Sequence, residues 1–257
     1  MADRKFELRY PSPQTAVDIF AGNWLSDLSK VCAVVGTGDY DLFVADARPK
    51  QAAKALGNKD GRLDGMSILE LGPLEGAHSY QLEQLGAASI VGIETNVDAF
   101  LKCLIIKEIL NLNRSHFMFG DALEFLTKTE DRFDIVFCSG ILYHMRDPVT
   151  VIKAICNVTN KSFVWTHYYN DERGNVEGRR TQRQVSIYGF DATYYELEYS
   201  NRENNAFLGG NDDLRAWMTR DDILACFKYF GLDQIIPFDD VPLNPNGACL
   251  TFAASRN

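Results

Sequence analysis

Short apolar runs alternate with longer segments of helical periodicity from residue 66 onward. Five runs have the composition of buried strands: MSILEL (66–71), SIVGIE (89–94), HFMFG (116–120), FDIVFCS (133–139) and SFVWTH (162–167). Helical segments separate these runs, at about 77–85, 97–110, 122–127 and 148–158. Pro148 and Gly86 stand where helices start and end. The alternation predicts right-handed βαβ units and a doubly wound α/β fold with helices on both faces of a mostly parallel sheet.

The alternation stops after His167. Residues 168–218 are polar and rich in tyrosine, and they show no clear period. This segment is too long for an ordinary connection, which indicates a functional role. Its tyrosines and mixed charges predict an inserted lid that recognises the acceptor, and a partly ordered loop or an oligomer contact is the alternative. Thr219 can cap a helix that ends at Gly231, and two strands joined by an Asn-Gly turn follow it. The chain therefore ends in an antiparallel hairpin on the parallel sheet.

The same pattern divides the chain into four parts. Residues 1–64 contain a predicted helix from Gln14 to about Leu28 and a second helix around Lys50–Leu56, and we expect them to form a helical cap. Three parts follow the cap: the Rossmann-like core (65–167), the inserted segment (168–218) and the C-terminal part of the core (219–257).

Composition and charge restrict the function. The chain has 257 residues, 46% of them hydrophobic, and a net charge of −9, which argues against a dedicated nucleic-acid binder. Its six cysteines show no close pairing and predict reduced thiols. The charged N-terminus has no apolar signal core, and no stretch is apolar enough to span a bilayer. We therefore expect a cytoplasmic protein, with the oligomeric state left open and a homodimer among the options.

A glycine-containing turn follows the first strand, in the sequence ILELGPLEG (68–76). Its spacing from Gly72 to Gly76 is not the G-x-G-x-x-G of dinucleotide sites. Glu70 and Glu75 flank the turn, and two carboxylates disfavour a diphosphate. They suit an adenosine cofactor that carries a positive charge. We expect Glu75 itself to be solvated.

This turn resembles motif I of the class I S-adenosylmethionine-dependent methyltransferases, and later strand ends resemble that family's other landmarks: IVGIETN, FMFGDAL and FDIVFCSGILYHMRDP. The resemblance covers about residues 65–167 and 219–255. It implies a seven-stranded sheet of order 3-2-1-4-5-7-6, with S-adenosylmethionine as cofactor and S-adenosylhomocysteine as product. The cofactor-binding residues it implies are Glu70, Gly72, Pro73, Gly76, Glu94, Thr95, Asp121, Ala122, Ser139 and Gly140. The resemblance also implies that the loop after the fourth strand runs beside the methionine arm of the cofactor.

Three acids have separate implied roles. By resemblance, Glu70 lies near the amino end of the methionine moiety, directly or through water. Glu94 would accept hydrogen bonds from both ribose hydroxyls, and Asp121 would bind the adenine amine. Asp121 can also cap the helix that follows it, and the two roles are compatible.

Two histidines at strand ends are candidates for a catalytic base. Histidine ordinarily titrates near neutral pH, as proton removal from an acceptor hydroxyl requires, so His167 and His144 are the candidates. His144 could instead order the loop that carries Ser139 and Gly140, and His167 could orient the acceptor. Tyr143, Tyr168 and Tyr169 are predicted to bind substrate, either as walls or as reacting groups. His78 could touch the cofactor. The strand ends lack the acidic cluster of metal-dependent methyltransferases, so we expect no catalytic metal.

We expect a methyltransferase that acts on a small molecule, on an oxygen of a sugar or a specialised metabolite. The stretches GILYHMRDP (140–148) and AWMTRDDILACFKYFGL (216–232) resemble the tRNA wobble-uridine methyl- and carboxymethyl-transferring enzymes, which makes tRNA the alternative acceptor. A non-catalytic cofactor-binding subunit is a further alternative. A nicotinamide-dependent oxidoreductase fits the glycine spacing and Glu70 less well.

Overall fold

A computed structural model describes residues 6–171, 180–198 and 213–257. Its main sheet has seven strands in the order β3-β2-β1-β4-β5-β10-β9. These strands are β1 Ser67–Leu71, β2 Ser89–Glu94, β3 Ser115–Phe119, β4 Ile135–Ser139, β5 Lys161–His167, β9 Gln234–Val241 and β10 Cys249–Ser255. Strands β1 to β5 are parallel, and β10 is antiparallel to both β5 and β9. Numbered within this sheet alone, the order is the predicted 3-2-1-4-5-7-6.

Helices connect the strands on both faces. They are α1 Pro13–Val17, α2 Arg48–Leu56, α3 Ala77–Gln84, α4 Val97–Ile109, α5 Ala122–Lys128, α6 Pro148–Val158 and α7 Arg220–Tyr229, with 3-10 turns at Asp18–Phe20, Leu28–Lys30 and Leu142–His144. Side-chain caps fix several helix starts, because Asn96, Asp121, Asp147 and Thr219 each accept a hydrogen bond from a first-turn N–H. Two of these caps follow directly on core strands and turn the chain back over the sheet.

The predicted helix from Gln14 to Leu28 is wrong in its extent. The helix ends at Val17, and a 3-10 turn carries the chain only to Phe20. Gly22 then has a φ of 79°, a left-handed conformation that ends helices. The shortened segment still packs against the core, because Trp24 shares a buried cluster with residues of α3 and α4.

The inserted segment is more regular than the sequence predicts. Strands β6 Thr181–Ile187, β7 Phe190–Glu198 and β8 Leu214–Trp217 form a separate antiparallel sheet. Tyr194 of β7 is fully buried and donates a 2.6 Å hydrogen bond to the carboxylate of Asp147, the cap of α6. The sheet is therefore fixed to the core. Residues 172–179 and 199–212 of the predicted lid lie outside the described residues.

Within the described ranges, no helix combines the length and the apolar character needed to cross a bilayer.

Candidate active site

A cavity of about 480 Å³ opens where β1, β2, β4 and β5 end. In doubly wound sheets, ligands bind at the carboxyl ends of the strands in this way. Most of the predicted site residues line it: Gly72, Pro73, Glu94, Thr95, Asp121, Ala122, Ser139, Gly140, Tyr143, His144 and His167. Glu70, Gly76, Tyr168 and Tyr169 are not among the lining residues.

The glycine turn shapes one wall of the cavity. Gly72 has a φ of 67°, and a Cβ there would lie 2.4 Å from the side chain of Ile141, so only glycine fits without displacing that side chain. Gly76 has a φ of 78° and precedes the first residue of α3. It faces Phe117, Ile106 and Cys103 rather than the cavity. Gly76 thus shapes the turn, and its predicted direct contact with cofactor has no support from its position.

Glu94 ends β2 at the cavity wall. Its carboxylate accepts hydrogen bonds from the backbone N–H groups of Leu74 (3.0 Å) and Asn96 (2.9 Å). Burial raises the pKa of Glu94 above its ordinary value, although backbone donors oppose the change. Asp121 lies on the next strand end and caps α5 through a 2.8 Å hydrogen bond from the Glu124 N–H. Both acids line the cavity, and their contacts with ribose and adenine stay predictions.

Glu70 lies behind the cavity wall, buried to 1% exposure. One of its carboxyl oxygens accepts a hydrogen bond from Ser79, and the other, Oε1, has no hydrogen-bond partner. Burial raises the pKa of Glu70 to about 7, and the nearby Glu94 carboxylate acts in the same direction. A buried carboxyl with an unsatisfied oxygen is costly unless a ligand or a proton compensates it.

A chain of polar contacts next to Glu70 was missed in the sequence. His78 Nδ1 lies 3.8 Å from Glu70 Oε1, and its Nε2 lies 3.0 Å from Asp46. Asp46 in turn accepts hydrogen bonds from Arg48, which lines the cavity. Burial lowers the pKa of His78, so its ring is neutral near pH 7. Burial acts against ionisation of Asp46, yet hydrogen bonds from His78 and Arg48 hold its pKa well below the usual range.

Glu75 is buried, contrary to the expectation that it is solvated. Its carboxylate accepts hydrogen bonds of 2.9 Å from the backbone N–H groups of Leu25 and Ser26. Lys102 of α4, fully buried, lies 3.2 Å from the same carboxylate. Glu75 therefore fastens the N-terminal cap to the glycine turn, and its charge is neutralised within the protein.

His167, at the end of β5, has a defined tautomer. Its Nδ1 lies 2.9 Å from the carbonyl oxygen of Gly247 and 3.2 Å from that of Ala248. Because carbonyl oxygens only accept hydrogen bonds, Nδ1 must carry hydrogen. In the neutral ring, Nε2 is then the nitrogen that can accept a proton.

His144 is less suited to accept a proton. Burial lowers the pKa of His144 to about 3, and the positive charges of Arg215 and of protonated His167 act in the same direction. Such a ring is neutral at physiological pH and binds a proton only weakly. Its position in the 3-10 turn after β4 also fits the alternative that it orders this loop.

Two predicted substrate-binding tyrosines lie away from the cavity. Tyr168 is buried, and its hydroxyl donates a 2.8 Å hydrogen bond to Asp240. The ring of Tyr169 stacks on Tyr195 with 3.4 Å between centroids. Tyr168 thus links the end of β5 to β9, and Tyr169 links it to β7 of the inserted sheet. Neither side chain lines the cavity. Tyr143 does line it.

Aromatic rings surround His167. The ring of Trp217, from the inserted sheet, stacks on His167 with a centroid separation of 5.4 Å and an interplanar angle of 7°. Tyr143 and Trp165 meet the imidazole edge-on at 4.7 and 5.1 Å. The indole N–H of Trp217 donates to the carbonyl of Tyr143, which ties the inserted sheet to the cavity. Trp165 and Trp217 were missed because their roles depend on contacts distant in sequence.

No cluster of three or more His, Cys, Asp or Glu side chains suited to a metal ion occurs in residues 6–171, 180–198 and 213–257. The expectation of a metal-independent reaction remains a prediction.

Comparisons with known proteins agree with this arrangement. Residues 62–186, just under half of the chain, match a family described as a methyltransferase domain. A tRNA U34 carboxymethyltransferase of Campylobacter curvus is 29% identical over 171 residues, which are 65% of this chain and 50% of that protein. A second, from Campylobacter hominis, is 29% identical over 98 residues, 38% of this chain and 34% of that protein. The chain thus spans half or less of the length of these relatives.

Solved structures show the same fold. The N-terminal domain of EvdMO1, crystallised in the presence of S-adenosylhomocysteine and D-fucose, aligns with a TM-score of 0.69 and 21% identity over 95% of this chain and 94% of that one. Magnesium protoporphyrin IX methyltransferase from Synechocystis PCC 6803, with bound S-adenosylhomocysteine, aligns with a TM-score of 0.51 and 16% identity over 77% of each chain. Residues 62–186 thus match a methyltransferase domain, and the chain has the fold of proteins that were crystallised with S-adenosylhomocysteine.

Proposed function

We propose that this protein transfers the methyl group of S-adenosylmethionine to a hydroxyl oxygen of a small, polar, ring-bearing acceptor such as a sugar. The observation that carries the proposal is the placement of His167. Its Nδ1 is held by two carbonyl groups, and it lines the same cavity as Gly72 and Glu94. A candidate base and the candidate cofactor contacts therefore share one enclosed space.

The proposed reaction uses these positions. The acceptor oxygen attacks the methyl carbon in line with the carbon–sulfur bond, which breaks and leaves S-adenosylhomocysteine. The hydroxyl proton passes to Nε2 of His167, and the carbonyl of Gly247 stabilises the imidazolium through Nδ1–H. Alignment of the two reactants supplies much of the rate, up to roughly 7–11 kcal/mol of the barrier in favourable cases. Since a sulfonium is a good leaving group and His167 accepts the hydroxyl proton, the proposed step uses no metal.

The size and lining of the cavity favour a small acceptor. Its volume of about 480 Å³ has to contain the cofactor as well as the acceptor. Beyond the acids, the lining includes Tyr40, Tyr143, Trp165 and Asn246. Flat rings can pack against the C–H face of a sugar, while the amide can bind its hydroxyls. The crystals of the EvdMO1 domain with D-fucose add support from a protein of similar fold.

A tRNA acceptor is the second candidate, because proteins of partial similarity are tRNA U34 carboxymethyltransferases. Proteins that bind nucleic acids commonly make about 6–10 phosphate contacts through lysine and arginine side chains. Against this, the chain has a net charge of −9, and Arg48 is the one lysine or arginine among the described residues that line the cavity. These observations rank tRNA second.

The two candidates are separable in one assay. Purified protein is incubated with S-adenosylmethionine and either a panel of sugars and nucleotide sugars or bulk tRNA, and the release of S-adenosylhomocysteine is measured. We expect turnover with a member of the sugar panel and none with tRNA at moderate salt. Turnover with tRNA alone would overturn the ranking. Failure with every acceptor class would favour a non-catalytic cofactor-binding subunit.

A further inference from the structure

We propose that Arg48, which precedes the methyltransferase domain, binds the carboxylate of the methionine part of the cofactor. This inference rests on the proposed function, because it assigns a residue to one end of the same cofactor. It makes the N-terminal cap part of the cofactor site.

Arg48 is placed at the methionine side of the cavity. It is the first residue of α2, and its guanidinium lies 5.0 Å from the centre of the Trp165 ring. Its Nη1 donates a 2.8 Å hydrogen bond to the hydroxyl of Ser139, at the end of β4. By resemblance, the loop that begins with Ser139 and Gly140 runs beside the methionine arm. Arg48 therefore lies at the ends of β4 and β5 within the cavity.

The guanidinium has donors left for a ligand. Of its five N–H groups, Nε–H and one N–H of Nη2 go to the carboxylate of Asp46, and one N–H of Nη1 goes to Ser139. Two N–H groups remain, one on each terminal nitrogen. A carboxylate is the ligand that two such donors match, because its oxygens accept the pair in a bidentate arrangement.

Surrounding groups hold Arg48 in this position. The carboxylate of Asp46 accepts hydrogen bonds from one edge of the guanidinium. The neutral ring of His78 donates its Nε2–H to the same carboxylate. The other nitrogen of His78 lies 3.8 Å from Glu70 Oε1, a buried oxygen without a hydrogen-bond partner. The contacts thus run from Glu70 through His78 and Asp46 to Arg48. The methionine moiety carries the complementary charges: its carboxylate would meet Arg48, and its ammonium would lie on the side of Glu70, directly or through water.

Two ligands test this assignment by calorimetry. S-adenosylhomocysteine has the amino and carboxyl groups, whereas 5′-methylthioadenosine lacks both. In Arg48→Gln, we expect S-adenosylhomocysteine to bind roughly 10–100-fold more weakly, as loss of charge-assisted hydrogen bonds implies, and 5′-methylthioadenosine to bind within about twofold of the wild type. Arg48→Lys should retain part of the affinity. The matched control is Arg62→Gln, which removes a surface arginine paired with Asp64.

Each other result contradicts the inference in a recognisable way. If Arg48→Gln and a folded Arg48→Lys bound both ligands more weakly and to the same extent, Arg48 would act by holding the N-terminal cap in place. Unchanged binding of S-adenosylhomocysteine with a raised KM for the acceptor would assign Arg48 to the acceptor. If wild-type protein bound neither ligand, the proposed function would itself be wrong, so the two failures are distinguishable.

Discussion

Nδ1 of His167 lies 2.9 Å from the carbonyl oxygen of Gly247, a residue 80 positions later in the chain. Gly247 has a φ of 115°, and a Cβ there would lie 2.7 Å from the ring of Trp217. The Asn-Gly turn between β9 and β10 therefore does more than connect two strands. It orients the imidazole and leaves space for the indole that stacks on it.

His167→Ala should lower turnover by roughly 10²–10⁴-fold, because the acceptor hydroxyl would lose its base. Affinity for S-adenosylhomocysteine should stay close to that of the wild type, since the contacts proposed for the cofactor lie at other strand ends. Turnover is measured by S-adenosylhomocysteine release, and affinity by calorimetry. Because burial holds the pKa of His144 at about 3, His144→Asn should leave the pH profile near neutrality unchanged. Loss of cofactor binding in His167→Ala would instead assign this residue to the cofactor wall.

Glu94→Ala should weaken binding of S-adenosylhomocysteine. Each charge-assisted hydrogen bond to a ribose hydroxyl contributes about 1.5–3 kcal/mol, so a loss of at least tenfold in affinity is expected. Because Glu94 also accepts hydrogen bonds from Leu74 and Asn96, the variant Glu94→Gln serves as a comparison that keeps the side-chain shape. Thermal unfolding without ligand separates loss of the turn from loss of the ribose contact. Undiminished affinity in a folded Glu94→Ala protein would contradict the ribose assignment.

The sequence predicted those parts of the fold and site that local patterns determine. Strands β1 to β5 are apolar runs between capped helices, and Gly72 and Glu94 lie at strand ends that a motif marks. The strands of the insertion were missed, although buried Phe190, Ala192 and Tyr194 alternate with more exposed neighbours in β7. This alternation covers only five residues. The partner strand β6 is largely exposed and shows no alternation of apolar and polar residues.

Long-range contacts were beyond any local pattern. Glu75 reads as a solvated charge beside a turn, because its partners Leu25, Ser26 and Lys102 are 27 to 50 residues away. The same holds for Arg48, whose contacts with Ser139 and Trp165 depend on how the cap folds over the strand ends. The roles of Glu75 and Arg48 can therefore be inferred only from the folded structure, which brings them next to their partners.

Protonation of Glu70 should make stability depend on pH. Its pKa is about 7 in the folded protein against 4.5 ordinarily, so the folded state holds a proton that the unfolded state loses between these values. The stability it contributes is therefore complete below pH 4.5 and is lost as pH rises through about 7, at up to about 1.4 kcal/mol per pH unit. Glu70→Gln should remove this dependence and exceed the wild type in stability at pH 8. Urea unfolding at several pH values measures the difference.

Cofactor binding should also change the protonation of Glu70. An ammonium group next to Glu70 favours the ionised form of this side chain. Binding of S-adenosylhomocysteine at pH 6 should therefore release a proton from Glu70. Calorimetry in buffers of different ionisation enthalpy detects this release, and Glu70→Gln is the control in which it should be absent. Equal proton release by wild type and variant would show that Glu70 is already ionised or lies away from the ammonium.

Lys102→Met should destabilise the protein strongly, because it leaves the buried carboxylate of Glu75 without its cationic partner. Removal of one member of a buried ion pair costs about 3–5 kcal/mol, and urea unfolding measures it. The double variant Glu75→Gln/Lys102→Met should recover part of the loss, since no buried charge remains there. Lys128→Met, which breaks the exposed pair with Glu124, should change stability little. If Lys102→Met were as stable as Lys128→Met, the ion pair would not be what fastens the N-terminal cap to the glycine turn.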